Sequence, residues 1–173
     1  MAESSLYFAY GSNINLDQMA HRCPDASVVG PVELEGYELL FRRGGFATIA
    51  PKEGETVIGL LWSITPACEH SLDRYEGYPR FYDKRMVTVR DDEGGPLSVM
   101  AYIMDERFRE PMLPSATYYN GIWEGYRQNG LPVDALEKAW NHVVREVHQE
   151  TLRINADCTD HNKIPKRRKK HER

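Results

Sequence analysis

The stretch Leu6-Tyr7-Phe8-Ala9-Tyr10-Gly11-Ser12-Asn13 (LYFAYGSN, residues 6–13) is an apolar, aromatic run that ends at three small residues. Its composition is typical of a β-strand, which we predict over residues 5–10. Gly11 allows the backbone to turn sharply, and the pattern that follows predicts a helix over residues 16–22. The candidate caps of that helix are Ser12, Asn13 and Asn15.

The turn at Gly11-Ser12-Asn13 is a candidate anion site. A helix begins with amide groups that have no acceptor inside the helix, and the positive end of its dipole favours a negative charge. A carboxylate or a phosphate can accept hydrogen bonds from such a turn. The alternative is that Ser12 or Asn13 only caps the helix, and the chemistry of the junction leaves both interpretations open.

The composition of the 173-residue chain is typical of a soluble globular protein. Hydrophobic residues make up 41% of the chain and charged residues 28%. No apolar run approaches the roughly 20 residues that span a bilayer. The first eight residues, MAESSLYF, lack the basic and apolar regions of a secretory signal. We therefore expect one cytoplasmic domain over residues 1–155, without a membrane partner.

Positive charge is concentrated at the C-terminus. Residues 163–173 (KIPKRRKKHER) contain seven Lys or Arg and one Glu, whereas the whole chain has a net charge of −4. A basic, disordered tail is predicted over residues 156–173. This tail is either a solvated extension or a weak contact for nucleic acid, and the acidic remainder of the chain is a poor nucleic-acid surface.

The rest of the chain predicts strands first and helices last. Runs of β-branched and aromatic residues predict strands over residues 31–43, 46–50, 56–64, 81–90 and 97–104, with a turn at residues 51–54. Helices are predicted over residues 66–76, from residues 114–115 to Gly130, and from Pro132 onward. This order predicts an α+β domain with a largely antiparallel sheet, either open or closed into a barrel.

Two glycines, Gly121 and Gly125, share one face of the helix predicted to begin at residues 114–115. Glycine inside a helix costs about 1 kcal/mol relative to alanine. The pair therefore indicates that another backbone or a ligand comes close to this face.

Glu76 lies at the end of the helix predicted over residues 66–76. A negative charge there opposes the helix dipole, and Asp73 adds a like charge one turn earlier. Nearby aromatic residues can exclude water from the carboxyl group: Tyr75, Tyr78, Phe81 and Tyr82. All three effects raise the pKa of a carboxyl group toward the range that suits proton transfer at neutral pH. The alternative is an exposed Glu76, or one that pairs with Arg74 or Arg80.

Common nucleotide, hydrolase and zinc motifs are absent from the sequence, including GxGxxG, the Walker loop, GxSxG and HExxH. The three cysteines, Cys23, Cys68 and Cys158, are far apart and form no C-x-x-C pair. We expect them to be reduced thiols that bind no metal.

Five segments in a fixed order make the chain resemble the γ-glutamylcyclotransferase-like family, which includes the AIG2-like and γ-glutamylamine cyclotransferase proteins. The resemblance covers about residues 5–140, and its segments are Tyr7-Phe8-Ala9-Tyr10-Gly11-Ser12-Asn13, Gly45-Phe46-Ala47-Thr48-Ile49, Leu72-Asp73-x-x-Glu76-Gly77, Ala101-Tyr102-Ile103-Met104, and Pro114-Ser115-x-x-Tyr118 with Asn129-Gly130-Leu131-Pro132.

The resemblance implies a compact mixed, mostly antiparallel β-barrel flanked by helices, with a cavity for a γ-glutamyl group. It implies that Glu76 is the catalytic residue and that no metal or cofactor takes part. The implied partner is a small γ-glutamyl substrate, bound by a monomer or a homodimer. The implied substrate-binding residues are Tyr7, Phe8, Ala9, Tyr10, Gly11, Ser12, Asn13, Tyr102 and Tyr118.

The reaction that the resemblance implies is cyclisation of a γ-glutamyl group to 5-oxoproline, with release of the attached amine. The segment at residues 78–82 differs from what often follows the family's glutamate, so the leaving group stays open. The alternative is a non-catalytic protein that binds a small metabolite in the same cavity.

Overall fold

The computed structural model describes residues 3–161, which form nine regular elements. The strands are β1 Ser5–Ala9, β2 Ser27–Arg42, β3 Phe46–Ile64, β4 Tyr82–Arg90 and β5 Pro96–Met104. The helices are α1 Leu16–Arg22, α2 Pro66–Glu76, α3 Ala116–Gln128 and α4 Asp134–His161. The described residues also contain two short 3₁₀ turns, at Ser12–Ile14 and Arg43–Gly45.

The five strands close into one barrel in the order β1-β3-β2-β4-β5. Strand β1 pairs with β3 in antiparallel fashion, with Tyr7 opposite Trp62. On its other side Tyr7 lies opposite Met100 of β5 in a parallel arrangement, and this contact closes the barrel. The predicted α+β class with a mostly antiparallel sheet is confirmed, and so is the barrel that the resemblance implies.

The predicted turn at residues 51–54 is wrong, because β3 runs without interruption from Phe46 to Ile64. The pairing with β2 nevertheless shifts there, from Tyr37 opposite Pro51 to Glu35 opposite Thr56. Residues 52–55 therefore lie opposite Gly36 alone. The polar, glycine-containing segment forms a bulge in a long strand instead of ending it.

Helix α2 has the ends that the sequence predicts. The side chain of Thr65 accepts a hydrogen bond from the backbone N–H of Cys68 at the N-terminus. Gly77 takes a left-handed conformation at the C-terminus, with φ of 64°, which glycine adopts without steric cost. This ending places Glu76 in the last turn of α2.

Helix α3 packs its glycines against the turn that follows β1, as the glycine pair predicts. A Cβ atom added to Gly125 would lie 2.7 Å from the backbone nitrogen of Asn15 and 2.9 Å from the carbonyl carbon of Ile14. The Asn15 side chain also donates to the carbonyl of Gly121 at 2.9 Å. Glycine is required at residue 125 because two backbones meet there.

Helix α4 packs on β2 and buries Leu136, Ala139 and Val143. It continues past the boundary predicted at residue 155 and ends at His161. The disordered tail predicted over residues 156–173 is therefore wrong for residues 156–161, which are helical, and residues 162–173 lie outside the described residues. Among residues 3–161, no helix is long and apolar enough to span a membrane.

Candidate active site

A cavity opens where the C-terminal end of β1 meets the last turn of α2. It gathers eight of the predicted site residues and three others. The predicted residues are Tyr7, Tyr10, Gly11, Ser12, Asn13, Glu76, Tyr102 and Tyr118, and the others are Ala47, Tyr75 and Tyr82.

Two predicted substrate-binding residues, Phe8 and Ala9, are not brought to the cavity. Side chains alternate between the two faces of a strand, so Phe8 faces away from its neighbour Tyr7. Phe8 packs in the core, where its ring lies 2.3 Å from the position of a Cβ added to Gly59. Ala9 is also buried in the core. The cavity is therefore lined by Tyr7 of β1 and by Tyr10, which follows the strand.

The turn at residues 11–13 faces the cavity and does not cap α1. Helix α1 is capped by Asn15, whose side-chain oxygen accepts from the backbone N–H of Gln18 at 3.0 Å. Ser12 and Asn13 lie one 3₁₀ turn earlier, and their side chains reach toward α2. The interpretation of Ser12 or Asn13 as a simple cap is therefore wrong.

Gly11 brings the backbone of the turn close to the opposite wall. A Cβ atom added there would lie 3.3 Å from the Cβ of Ala47 and 3.5 Å from the hydroxyl of Tyr118. A side chain at this position would occupy the space between the turn and those groups. The bare turn leaves its backbone accessible from the cavity.

Glu76 is half-buried at the end of α2, and its Oε1 atom accepts from the Nδ2 of Asn13 at 3.3 Å. Burial raises the pKa of Glu76 from 4.5 to about 7, while the positive charge of Arg22 acts in the opposite direction. In the described part of the chain, no ion pair joins Glu76 to Arg74 or Arg80. The predicted upward shift of the pKa is confirmed, with burial as its cause.

Asp73 does not contribute to that shift, although the sequence suggests it does. Its Oδ1 atom lies 2.8 Å from the Nζ of Lys84 and accepts from the hydroxyl of Tyr102 at 2.5 Å. These partners offset the negative charge of Asp73, and β4 and β5 supply them. The like-charge effect on Glu76 is therefore removed by tertiary contacts.

Three of the buried phenols that line the cavity donate their protons to the protein. The hydroxyl of Tyr82 donates to the carbonyl of Ala47 at 2.6 Å, and that of Tyr10 donates to the carbonyl of Tyr102. Tyr102 itself donates to Asp73. These three hydroxyls fix the walls of the cavity.

Tyr7 and Tyr118 use their hydroxyl oxygens as acceptors instead. Tyr7 accepts from the Nδ2 of Asn13 at 2.9 Å, and Tyr118 accepts from the backbone N–H of Ala47 at 3.0 Å. Burial raises the pKa of both phenols, so both keep their protons. Since no described residue accepts these two protons, Tyr7 and Tyr118 are able to donate to a bound ligand.

No motif in the sequence points to Arg22, which lies beside the cavity at the end of α1. Its Nη1 atom donates to the Oδ1 of Asn13 at 2.7 Å, and its guanidinium carbon lies 3.7 Å from the centre of the Tyr75 ring. Tyr75 in turn shares a hydrogen bond of 3.0 Å with the hydroxyl of Ser12. The spacing between Asn13 and Arg22 follows no motif, so only the folded chain shows that they meet.

Comparison with known proteins identifies the family of the chain. A model of the family described as "Gamma-glutamyl cyclotransferase, AIG2-like" matches residues 7–125. Human γ-glutamylcyclotransferase is 33% identical in an alignment 147 residues long that covers 79% of this chain and 77% of the human protein. The chain belongs to the γ-glutamylcyclotransferase family.

Other γ-glutamylcyclotransferases support the same assignment. The bovine protein is also 33% identical, over 79% of this chain and 77% of its own. A solved structure named "Gamma-glutamyl cyclotransferase" has a TM-score of 0.71 and 32% identity, and covers 79% of this chain and 86% of that one. YkqA from Bacillus subtilis shares the fold, with a TM-score of 0.67 at 24% identity over 82% of this chain and 54% of its own. The protein is thus an enzyme of the γ-glutamylcyclotransferase family.

Substitution of Glu76 by glutamine is expected to increase the stability of this protein at alkaline pH. The folded protein holds the Glu76 proton up to a pKa of about 7, whereas the unfolded chain releases it near the ordinary value. Stability therefore falls as the pH rises between these two values. Glutamine does not titrate, so we expect Glu76→Gln to be more stable than the wild type by about 1 to 2 kcal/mol at pH 8.

Urea unfolding at two pH values checks this prediction. At about pH 5 the two proteins are expected to have similar free energies of unfolding, because Glu76 is protonated in the folded wild type. A stability difference that does not change between pH 5 and pH 8 would contradict a half-buried Glu76 whose pKa is raised in the folded protein.

Proposed function

We propose that this γ-glutamylcyclotransferase converts a γ-glutamyl group to 5-oxoproline and releases the attached amine or amino acid, with Glu76 as general acid and base. The observation that carries the proposal is the half-buried Glu76 carboxyl, whose pKa lies near 7, facing the bare turn at residues 11–13 across one cavity. A carboxyl with a pKa near the operating pH both accepts and returns a proton efficiently.

The proposed reaction is an intramolecular aminolysis. The α-amino nitrogen of the γ-glutamyl group attacks its own γ-carbonyl carbon, forming a carbon–nitrogen bond that closes a five-membered ring. The bond between that carbon and the attached amine then breaks. Glu76 takes the proton released by the attacking nitrogen and returns one to the departing nitrogen, so protons and atoms balance without a co-reactant.

The substrate must be held in a bent conformation, since both reacting groups belong to one chain. The backbone amides of residues 11–13 are proposed to bind the α-carboxylate, which fixes one end of the γ-glutamyl group. Restricting a flexible chain to its reactive shape removes an entropic part of the barrier. Gly11 contributes to this role by leaving the backbone uncovered.

Negative charge develops on the γ-carbonyl oxygen during the attack. We assign its stabilisation to Tyr7 and Tyr118, because their hydroxyl protons are not used by described residues. Donors held in place before the reaction lower the barrier without reorganisation. Both hydroxyls are oriented by the hydrogen bonds that they accept, from Asn13 and from Ala47.

A substrate panel tests the proposed function. Purified wild-type protein is incubated with γ-glutamyl amino acids, γ-glutamyl amines and glutathione, and 5-oxoproline is measured by mass spectrometry. We expect 5-oxoproline from at least one compound class, together with an equal amount of the released amine. Tight binding without 5-oxoproline from any compound would contradict the proposal and favour a metabolite-binding protein.

A further inference from the structure

Arg22 contacts both the turn at residues 11–13 and helix α2, which face each other across the cavity. Its Nη1 atom donates to Asn13 at 2.7 Å in the turn, and its Nη2 atom donates to Gln18 at 2.8 Å in its own helix. Its guanidinium plane lies over the ring of Tyr75 in α2, and its carbonyl accepts from the hydroxyl of Ser71 at 2.7 Å. Two directed bonds and one stacking contact hold this side chain in a single orientation.

The contact with Arg22 determines which way the Asn13 amide faces. A guanidinium group only donates hydrogen bonds, so the oxygen of the Asn13 amide must face Arg22. The nitrogen of the same amide then faces the opposite way, 3.3 Å from the Oε1 of Glu76 and 2.9 Å from the hydroxyl of Tyr7. A reversed amide would turn its oxygen toward the Glu76 carboxylate, where two acceptors repel each other.

We propose that Arg22 is a positioning residue that locks the Asn13 amide, so that Asn13 holds Oε1 of Glu76 and leaves Oε2 to transfer protons. This inference rests on the proposed cyclisation by Glu76. Arg22 acts through Asn13 and does not contact the reacting atoms. The relay Arg22–Asn13–Glu76 joins α1, the turn and α2.

The charged and titratable groups around Glu76 agree with this role. Phenols from four other elements line the cavity around Glu76, and burial raises their pKa values, so they are neutral near pH 7: Tyr7 of β1 and Tyr10 just after it, Tyr82 of β4, Tyr102 of β5 and Tyr118 of α3. Tyr75 of α2 also lines the cavity. Among the described side chains, the charge that lowers the pKa of Glu76 is that of Arg22. Arg22 thus favours the ionised form of Glu76 and also orients the Asn13 amide.

Three variants test the proposal: Arg22→Met, which removes the charge and the donors, Arg22→Lys, which keeps the charge, and Arg74→Met as a matched control. Arg74 lies exposed in the last turn of α2, outside the cavity. We expect Arg22→Met to lower kcat roughly tenfold to a hundredfold, with a smaller change in KM. The rise of kcat/KM with pH should move to higher pH, because the pKa of Glu76 increases when the positive charge is lost.

Arg22→Lys should leave the pH profile near its wild-type position and recover part of kcat. Arg74→Met should change neither quantity. Thermal melts of all variants establish that they are folded, and Arg22→Lys keeps the test valid if Arg22→Met is unstable. Wild-type kcat and an unmoved pH profile in a folded Arg22→Met protein would overturn the proposal.

A double-mutant cycle with Asn13→Ala tests whether Arg22 affects kcat through Asn13 or independently of it. If Arg22 acts through Asn13, the double variant should lose no more kcat than the more damaged single variant. Additive losses of kcat would overturn the relay.

The Glu76 carboxyl can also be titrated by carbon-13 NMR without turnover. If the wild type forms no 5-oxoproline, the proposed function fails, whereas an unchanged Glu76 titration in Arg22→Met refutes the inference about Arg22 itself.

Discussion

Glu76→Gln is expected to reduce kcat for 5-oxoproline release by roughly 10²- to 10⁴-fold, the range typical of a lost general acid or base. Glutamine has nearly the same shape as glutamate and can still accept a hydrogen bond from Asn13. It cannot take a proton from the substrate's ammonium group. The loss should therefore fall on kcat, while KM changes little.

Steady-state kinetics across pH values, with 5-oxoproline as the readout, measures this effect. The wild type should show kcat/KM rising with pH around a midpoint near 7, the pKa of Glu76. Residual activity in Glu76→Gln should lack this rise. Glu69→Gln is the matched control, since Glu69 lies in the same helix and pairs with Lys84 near the surface. More than half of wild-type turnover in Glu76→Gln would refute the assignment.

Gly125→Ala is expected to destabilise the protein by about 3 kcal/mol, the cost of overpacking a closely packed site. Alanine normally stabilises a helix relative to glycine. Here its methyl group would lie 2.7 to 2.9 Å from the backbone of Ile14 and Asn15. Neither backbone can move freely, because the Asn129 side chain donates to the carbonyl of Ile14 at 3.0 Å.

Gly121→Ala, one turn earlier in α3, is the control for this prediction. Its methyl group would meet the end of the Gln18 side chain at 2.6 Å, and a flexible side chain can move aside. We expect the control to change stability by less than about 1 kcal/mol. Gly125→Ala should lower the melting temperature by roughly 6 to 12 °C, which scanning calorimetry detects. Equal stabilities of the two variants would contradict the close backbone contact.

The same substitution should also affect catalysis, because Ile14 and Asn15 directly follow the turn at residues 11–13. A displaced turn binds the proposed α-carboxylate less well, so KM should increase in Gly125→Ala under conditions where the protein is folded. The contact between α3 and the turn therefore supports both stability and substrate binding.

Much of the local structure is predictable from the sequence because its causes are local. The ends of α2 follow from Thr65, Pro66 and Gly77, which act on their own backbone neighbours. The strand–turn–helix order of residues 5–22 follows from composition and period. Glu76 stands out because its position in the last turn is unusual for an acidic residue. These features also carry the family resemblance.

Other features depend on contacts between distant parts of the chain. The length of β3 depends on pairing with β2, which carries the strand past a segment that looks like a turn. Lys84 in β4 offsets the charge of Asp73 in α2. Phe8 lies in the predicted binding segment, yet it packs in the core against Gly59 of β3. None of these outcomes follows from nearby residues.

The candidate active site therefore depends on both short-range properties of the sequence and long-range packing. The amino-acid order alone specifies the bare turn and the glutamate, since a glycine's freedom and a helix end are short-range properties. Folding specifies the environment of that glutamate, because burial, the orientation of Asn13 by Arg22 and the two free phenol protons arise only when β1, α1, α2 and α3 pack together. A carboxyl group acquires a pKa near 7 from its surroundings, and those surroundings are assembled by long-range packing.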